Sequence, residues 1–173
     1  MMGADWANRR RLPRRKVTQA AGATDDLLVI ATLIALGAGP LFGAIWRFDI
    51  SDGPWPIVAG LLIGVLGLRT RYLATATLAN QYTLTPFVDG DWKVIDWGPY
   101  AIVRHPGYTG LLLQISALVL ITGQMIGLLS IPWLLACILI RIAVEEDLLL
   151  SAMPTTYFAY RESIKWRLIP LVL

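Results

Sequence analysis

Residues 106–146 read PGYTGLLLQISALVLITGQMIGLLSIPWLLACILIRIAVEE, and no acidic or basic residue interrupts them before Arg141. Within this stretch an apolar run over 108–121 is followed by an uncharged break, Thr122-Gly123-Gln124, and by a second apolar run over 126–140. Two such runs joined by so short a break predict a tight antiparallel helical hairpin, with Pro132 as a kink in its second arm. In an antiparallel pair the start of the first helix lies near the end of the second. The spacing therefore predicts that Tyr100, Arg104, His105 and Tyr108 meet Arg141, Glu145 and Glu146 at one end of the hairpin.

Working outward, the 173-residue chain is 56% hydrophobic and 16% charged, with a mean hydropathy of +0.60. That balance is far from a water-soluble domain and predicts a membrane protein. Residues 27–46 carry no charge and are long enough to cross roughly 30 Å of hydrocarbon at about 1.5 Å per residue. They form the first expected span, retained rather than cleaved, because the run is too long for a signal core and no small-residue cleavage pattern follows. Arg47, Asp49, Asp52 and Pro54 break the chain before a second span from Trp55 to Leu78, in which Gly60 and Gly64 are spaced for close helix contact. Trp46 and Trp55 flank that break as an interfacial belt would.

The expected fold class is thus an all-α integral membrane protein with about four transmembrane helices and C-terminal interfacial helices. Residues 1–24 are a basic arm, 25–79 hold the first two spans, and 80–173 hold a polar loop, the helical hairpin and amphipathic helices that turn at Met153-Pro154. Six of the fifteen basic residues fall in one run, Arg9, Arg10, Arg11, Arg14, Arg15 and Lys16; the rest are one between the first two spans, four from Arg69 to Arg104, none inside the hairpin and four from Arg141 onward. This asymmetry predicts four crossings with both termini and the His105 loop in the cytoplasm. It also assigns the positive charge to the lipid bilayer as partner, and no nucleic-acid-binding pattern of basic and aromatic residues follows.

The chemistry is bounded by what is scarce. Cys137 is the one cysteine and sits in an apolar run, which leaves no internal disulfide and no cysteine-rich metal site. One histidine makes a zinc site a poor expectation, and there is neither a glycine-rich dinucleotide or phosphate signature nor a nucleophile elbow. What remains is the turn from Gly98 to Gly110, where His105 stands beside Arg104 and before Pro106. Proline there biases His105 away from helix and is itself tolerated in a first helical turn, so a helix should begin at that point. Arg141 and Glu145 share a helix face and predict an i,i+4 ion pair, which leaves Glu146 unpaired at the membrane boundary as a site candidate.

Taken together, Gly98-Pro99-Tyr100, Val103-Arg104-His105-Pro106, Tyr108 and Gly110, followed by Arg141, Glu145-Glu146 and Leu149, then Tyr157, Tyr160 and Pro170, resemble the isoprenylcysteine carboxyl methyltransferase family. The related phospholipid N-methyltransferases are similar over the same region, about residues 69–170. The resemblance implies a helical membrane bundle whose C-terminal half encloses S-adenosylmethionine, with a lipophilic compound or lipid as methyl acceptor. It implies Tyr100, His105, Pro106, Tyr108, Gly110 and Glu146 around the cofactor, Arg104, Arg141, Glu145 and Glu146 in the catalytic centre, and Tyr157, Tyr160 and Arg167 towards the acceptor. Met153-Pro154 stands where the family often has Phe-Gly, so the acceptor end departs more than the cofactor end. Other readings of the same residues are an amine-directed phospholipid N-methyltransferase, an NADPH-dependent membrane reductase of the wider superfamily and a non-enzymatic scaffold. Gly110 replaces the acidic residue that the reductases commonly place there.

Overall fold

The computed structural model describes residues 26, 27, 30, 34, 53–79, 93–123 and 125–172. The basic arm, nearly all of the first expected span and most of the loop after residue 79 lie outside the described residues. Among the described residues all regular structure is helical: α1 (Trp55–Leu78), α2 (Pro106–Thr122), α3 (Ser130–Ala152) and α4 (Pro154–Ser163), with 3-10 turns at Gly98–Ala101 and Met125–Leu129. Asp26, Leu27, Ile30 and Ile34 are also helical.

Proline and glycine set the boundaries of these helices. α1 follows Pro54 and carries Pro56 in its first turn, α2 opens on Pro106, and α4 opens on Pro154, all positions where a missing N–H costs nothing. α2 ends at Gly123, which takes the left-handed conformation (φ 70°) and whose N–H donates to the Leu120 carbonyl at 3.0 Å. Pro132 stands in the first turn of α3, after a 3-10 lead-in, and so starts that helix instead of kinking it. α3 then runs past Arg141 to Ala152, so Glu145 and Glu146 are helical residues within it.

Two stretches, Trp55–Leu78 and Gly127–Ala152, are long and apolar enough to cross a membrane. α2, at 17 residues, is shorter than the roughly 20 that a perpendicular crossing takes. Only 17% of the apolar window of α1 is buried, with Leu61, Leu62, Val65 and Leu66 all pointing outward. A core helix of a soluble protein would hide these side chains, whereas lipid solvates them without cost.

α1 lies against α2 along a seam of small residues. A Cβ on Gly67 would stand 2.9 Å from the Gly110 carbonyl oxygen, and one on Gly110 would stand 2.8 Å from the Gly67 carbonyl oxygen and from the Arg71 backbone nitrogen. Gly60 meets the Ala117 carbonyl in the same way at 2.8 Å, but a Cβ on Gly64 would reach only the Ala117 methyl at 3.4 Å. The close step is therefore Gly60 to Gly67, and Gly64 has room to spare. Arg71 spans the seam further with a 3.4 Å hydrogen bond to Gln114 Oε1.

A second contact region joins α2, α3 and the residues after α4. Ile115 of α2 packs with Leu134, Cys137, Ile138 and Ile142 of α3 and with Leu168, which has no exposed surface. The C-terminal amphipathic helix thus ends at Ser163, and the chain continues extended to insert Leu168 between the arms of the hairpin. Fully burying a leucine is worth about 1.5–3 kcal/mol where water is the alternative, so this plug fixes the tail beside the start of α2.

Candidate active site

The first turn of α2 presents three consecutive residues in three directions. Gly110 faces α1, Tyr108 faces α3, and Thr109 donates through its hydroxyl to the Leu168 carbonyl of the tail at 2.7 Å. His105 is the residue before the helix: its carbonyl accepts from the Tyr108 and Thr109 N–H groups, and its ring is left to turn towards α3. The expected helix start at His105-Pro106 is therefore present, and it aims the imidazole at the glutamates.

Glu146 is the hub. It is 3% exposed, and its Oε1 accepts from Arg104 Nε at 2.8 Å and lies 3.3 Å from His105 Nε2. Its Oε2 accepts from Arg167 Nη2 at 3.2 Å. The expected unpaired carboxylate is consequently the most heavily partnered one in the cluster. Arg104, 6% exposed, also donates to backbone, giving its two Nη1 protons to the carbonyls of Ile164 at 2.7 Å and Lys165 at 2.9 Å. Two main-chain bonds run parallel to it, from Arg104 N–H to the Trp166 carbonyl and from His105 N–H to the Arg167 carbonyl, both 2.9 Å. Arg104 and Glu146 together tie the loop, α3 and the tail into one unit.

Glu145 differs from its neighbour. Its side chain is 29% exposed, its Oε2 accepts from the Tyr108 hydroxyl at 3.0 Å, and His105 Nδ1 lies 4.0 Å from the same oxygen. Tyr108 in turn accepts from Arg141 Nε at 3.0 Å, so the buried guanidinium of Arg141 is linked to Glu145 through a phenol. One histidine ring thus touches both carboxylates, one sealed and one open.

Tyr157 and Tyr160 stand three residues apart on α4 with ring centroids 5.8 Å apart. Tyr160 donates its hydroxyl to the Tyr100 carbonyl at 2.9 Å and so pins the 3-10 turn before Arg104. The Tyr157 hydroxyl is buried and finds no hydrogen-bond partner among the described residues, a cost of about 1–3 kcal/mol for a buried polar group. Burial pushes both phenols well above the ordinary tyrosine range; at Tyr157 the charge of Glu146 pushes further and Arg104 opposes it. Both hydroxyls therefore stay protonated, and that of Tyr160 acts as a donor. Between α4 and residues 93–96 an open groove of about 530 Å³ is lined by Lys93, Asp96, Thr156, Tyr160 and Ser163, within the roughly 300–1,000 Å³ typical of small-molecule sites.

Of the residues expected from sequence, Arg104, His105 and Arg167 converge on Glu146, Arg141 and Tyr108 lead to Glu145, His105 Nδ1 lies 4.0 Å from Glu145 between the two groups, and Tyr100 and Tyr160 brace the edge. Pro106 is buried as the first residue of α2, and Gly110 is turned away from the glutamates into the α1 seam. The reading of sequence did not foresee Thr109 or the carbonyls of Ile164, Lys165 and Trp166. Carbonyls belong to every residue and leave no trace in a side-chain pattern.

A comparison with curated proteins finds no match. The model of the isoprenylcysteine carboxyl methyltransferase family matches residues 59–151, from α1 through the seam, the His105 turn and both glutamates to the last residues of α3. With more than half of its length matched, the chain belongs to the isoprenylcysteine carboxyl methyltransferase family.

Proposed function

We propose that the protein is an integral-membrane methyltransferase that uses S-adenosylmethionine and acts on a lipophilic acceptor, the carboxylate of an isoprenylcysteine-like compound. The observation that carries this reading is the unequal state of the two adjacent glutamates. Glu146 is sealed by Arg104, His105 and Arg167 and sets the shape of the site. Glu145 keeps 29% of its side chain exposed and accepts from the Tyr108 hydroxyl.

These residues fit the cofactor's charges. Glu145 would hold its ammonium or sulfonium side, and the faces of Tyr100 and Tyr108 suit a cation. Arg167, whose side chain is 39% exposed, would meet a carboxylate better than the buried Arg104, which is already satisfied by backbone carbonyls. The bound cofactor supplies an electrophilic methyl group. The chain supplies orientation: Arg141 fixes the Tyr108 hydroxyl, Tyr108 fixes Glu145, and the Arg104–Glu146 pair fixes His105. An acceptor carboxylate is already anionic, so these residues need only position it and exclude water, with no base required. The acceptor would enter from lipid, and the distribution of basic residues supports a cytoplasmic position for the site and both termini.

Purified protein in detergent is expected to bind S-adenosylhomocysteine in calorimetry, and Glu145→Gln to weaken that binding at least tenfold with little change in thermal stability. A wild-type protein stabilised by NADPH and not by S-adenosylhomocysteine would overturn the reading in favour of a reductase. Unchanged affinity in Glu145→Gln would overturn the assignment of the open glutamate.

A further inference from the structure

Among the described residues, the Tyr157 hydroxyl is the one buried side-chain polar atom without a hydrogen-bond partner. Its residue is 4% exposed, so water does not compensate at the surface. It stands at the site and not in a remote part of the core, because its ring packs against Tyr160, whose own hydroxyl braces the turn leading to Arg104. The two tyrosines share a helix and similar burial. One has an internal acceptor and the other has none.

No donor of the cluster reaches the Tyr157 hydroxyl. Arg104 gives its protons to Glu146 and to two carbonyls of the tail, and Thr109 donates to the Leu168 carbonyl. A protonated phenol can donate one hydrogen bond and accept another, and among the described residues the Tyr157 hydroxyl does neither; its stronger bond would be to an anionic oxygen. We propose that the Tyr157 hydroxyl is reserved for a ligand and donates a hydrogen bond to a carboxylate oxygen of the molecule held between α4 and the His105 turn. Two bound molecules offer that chemistry under the methyltransferase reading, on which this inference rests: the methionyl carboxylate of the cofactor and the carboxylate of the acceptor.

Tyr157→Phe removes only the oxygen and keeps the ring packed. Because the hydroxyl is unsatisfied in the free protein, its loss should leave the melting temperature without ligand equal to or above that of wild type. Loss of a bond to a charged oxygen should weaken the ligand that uses it about tenfold. A rise of that size in the Kd of S-adenosylhomocysteine assigns the bond to the cofactor. An unchanged Kd with a tenfold rise in KM for a farnesylated N-acetylcysteine assigns it to the acceptor. Both constants within twofold of wild type would overturn the proposal. So would a drop of several degrees in the melting temperature of the free variant, since the hydroxyl would then have a partner inside the protein. Failure of the wild-type protein to bind S-adenosylhomocysteine is a separate result: it breaks the methyltransferase reading, while the melting comparison still tests the orphaned hydroxyl.

Discussion

The α1–α2 seam and the glutamate cluster share the first turn of α2, yet they are held by opposite means. The seam is made from absence: Gly67 and Gly110 let two backbones approach until a single carbon would collide with a carbonyl. The cluster is made from charge, with Arg104, His105 and Arg167 converging on Glu146 and sealing it from solvent. The difference teaches which substitutions each region can absorb. A seam of glycines fails on any gain of volume at a tight point and is indifferent elsewhere, because dispersion between close helices has short range. A buried charge cluster fails on the loss of one partner, because the remaining ions are stranded without solvent.

The largest effect should come from breaking the charged side. Glu146→Ala leaves Arg104 and Arg167 without their shared carboxylate, and losing one member of a buried pair typically costs about 3–5 kcal/mol. Thermal unfolding in detergent should show a large fall in midpoint; a fall no larger than that of an exposed substitution such as Glu162→Ala would mean the cluster adds little to the fold.

A smaller loss is expected from the seam. Gly110→Ala places a methyl 2.8 Å from backbone atoms of Gly67 and Arg71, neither of which can swing aside, and overpacking of this kind costs about 1–3 kcal/mol. The helices would have to separate, which would also disturb Tyr108 two residues earlier. The smallest effect sharpens the contrast: Gly64→Ala lies on the same face of α1 but with ordinary contact distance to Ala117, so removing glycine's backbone freedom should leave stability unchanged or raise it by about 0.5–1 kcal/mol. Equal losses from Gly64→Ala and Gly110→Ala, read in the same melting assay, would show that the seam is not set by the Gly60–Gly67 step.

The legible parts of the molecule were those punctuated by proline and glycine. The start of α2 at Pro106, the start of α1 after Pro54, the break at Gly123 and the turn at Met153-Pro154 each follow from a proline or glycine at that point. The meeting of the His105 turn with Arg141, Glu145 and Glu146 followed from hairpin topology, and it too is present. The identity of the sealed glutamate was not legible. Adjacent helical residues point about 100° apart, and which of them faces inward depends on the rotation of α3, which packing across Ile115, Ile138 and Ile142 decides. Charge pattern alone gave Glu145 the ion pair and left Glu146 open, the reverse of their burial. The docking of residues 164–168 was equally hidden, because its bonds use main-chain carbonyls.

That docking bears on how the protein is made. Helices of a membrane protein enter the bilayer one after another as the chain is synthesised, and the two stretches long and apolar enough to cross it, Trp55–Leu78 and Gly127–Ala152, both precede the tail. Arg104 and His105, however, find backbone acceptors only in residues 164–167, more than fifty positions downstream. During synthesis the hairpin can pair Arg104 and His105 with Glu146, while their backbone acceptors wait for the tail to arrive. Completion of this charged cluster is then a late event, set by the arrival of the tail and not by the formation of the hairpin.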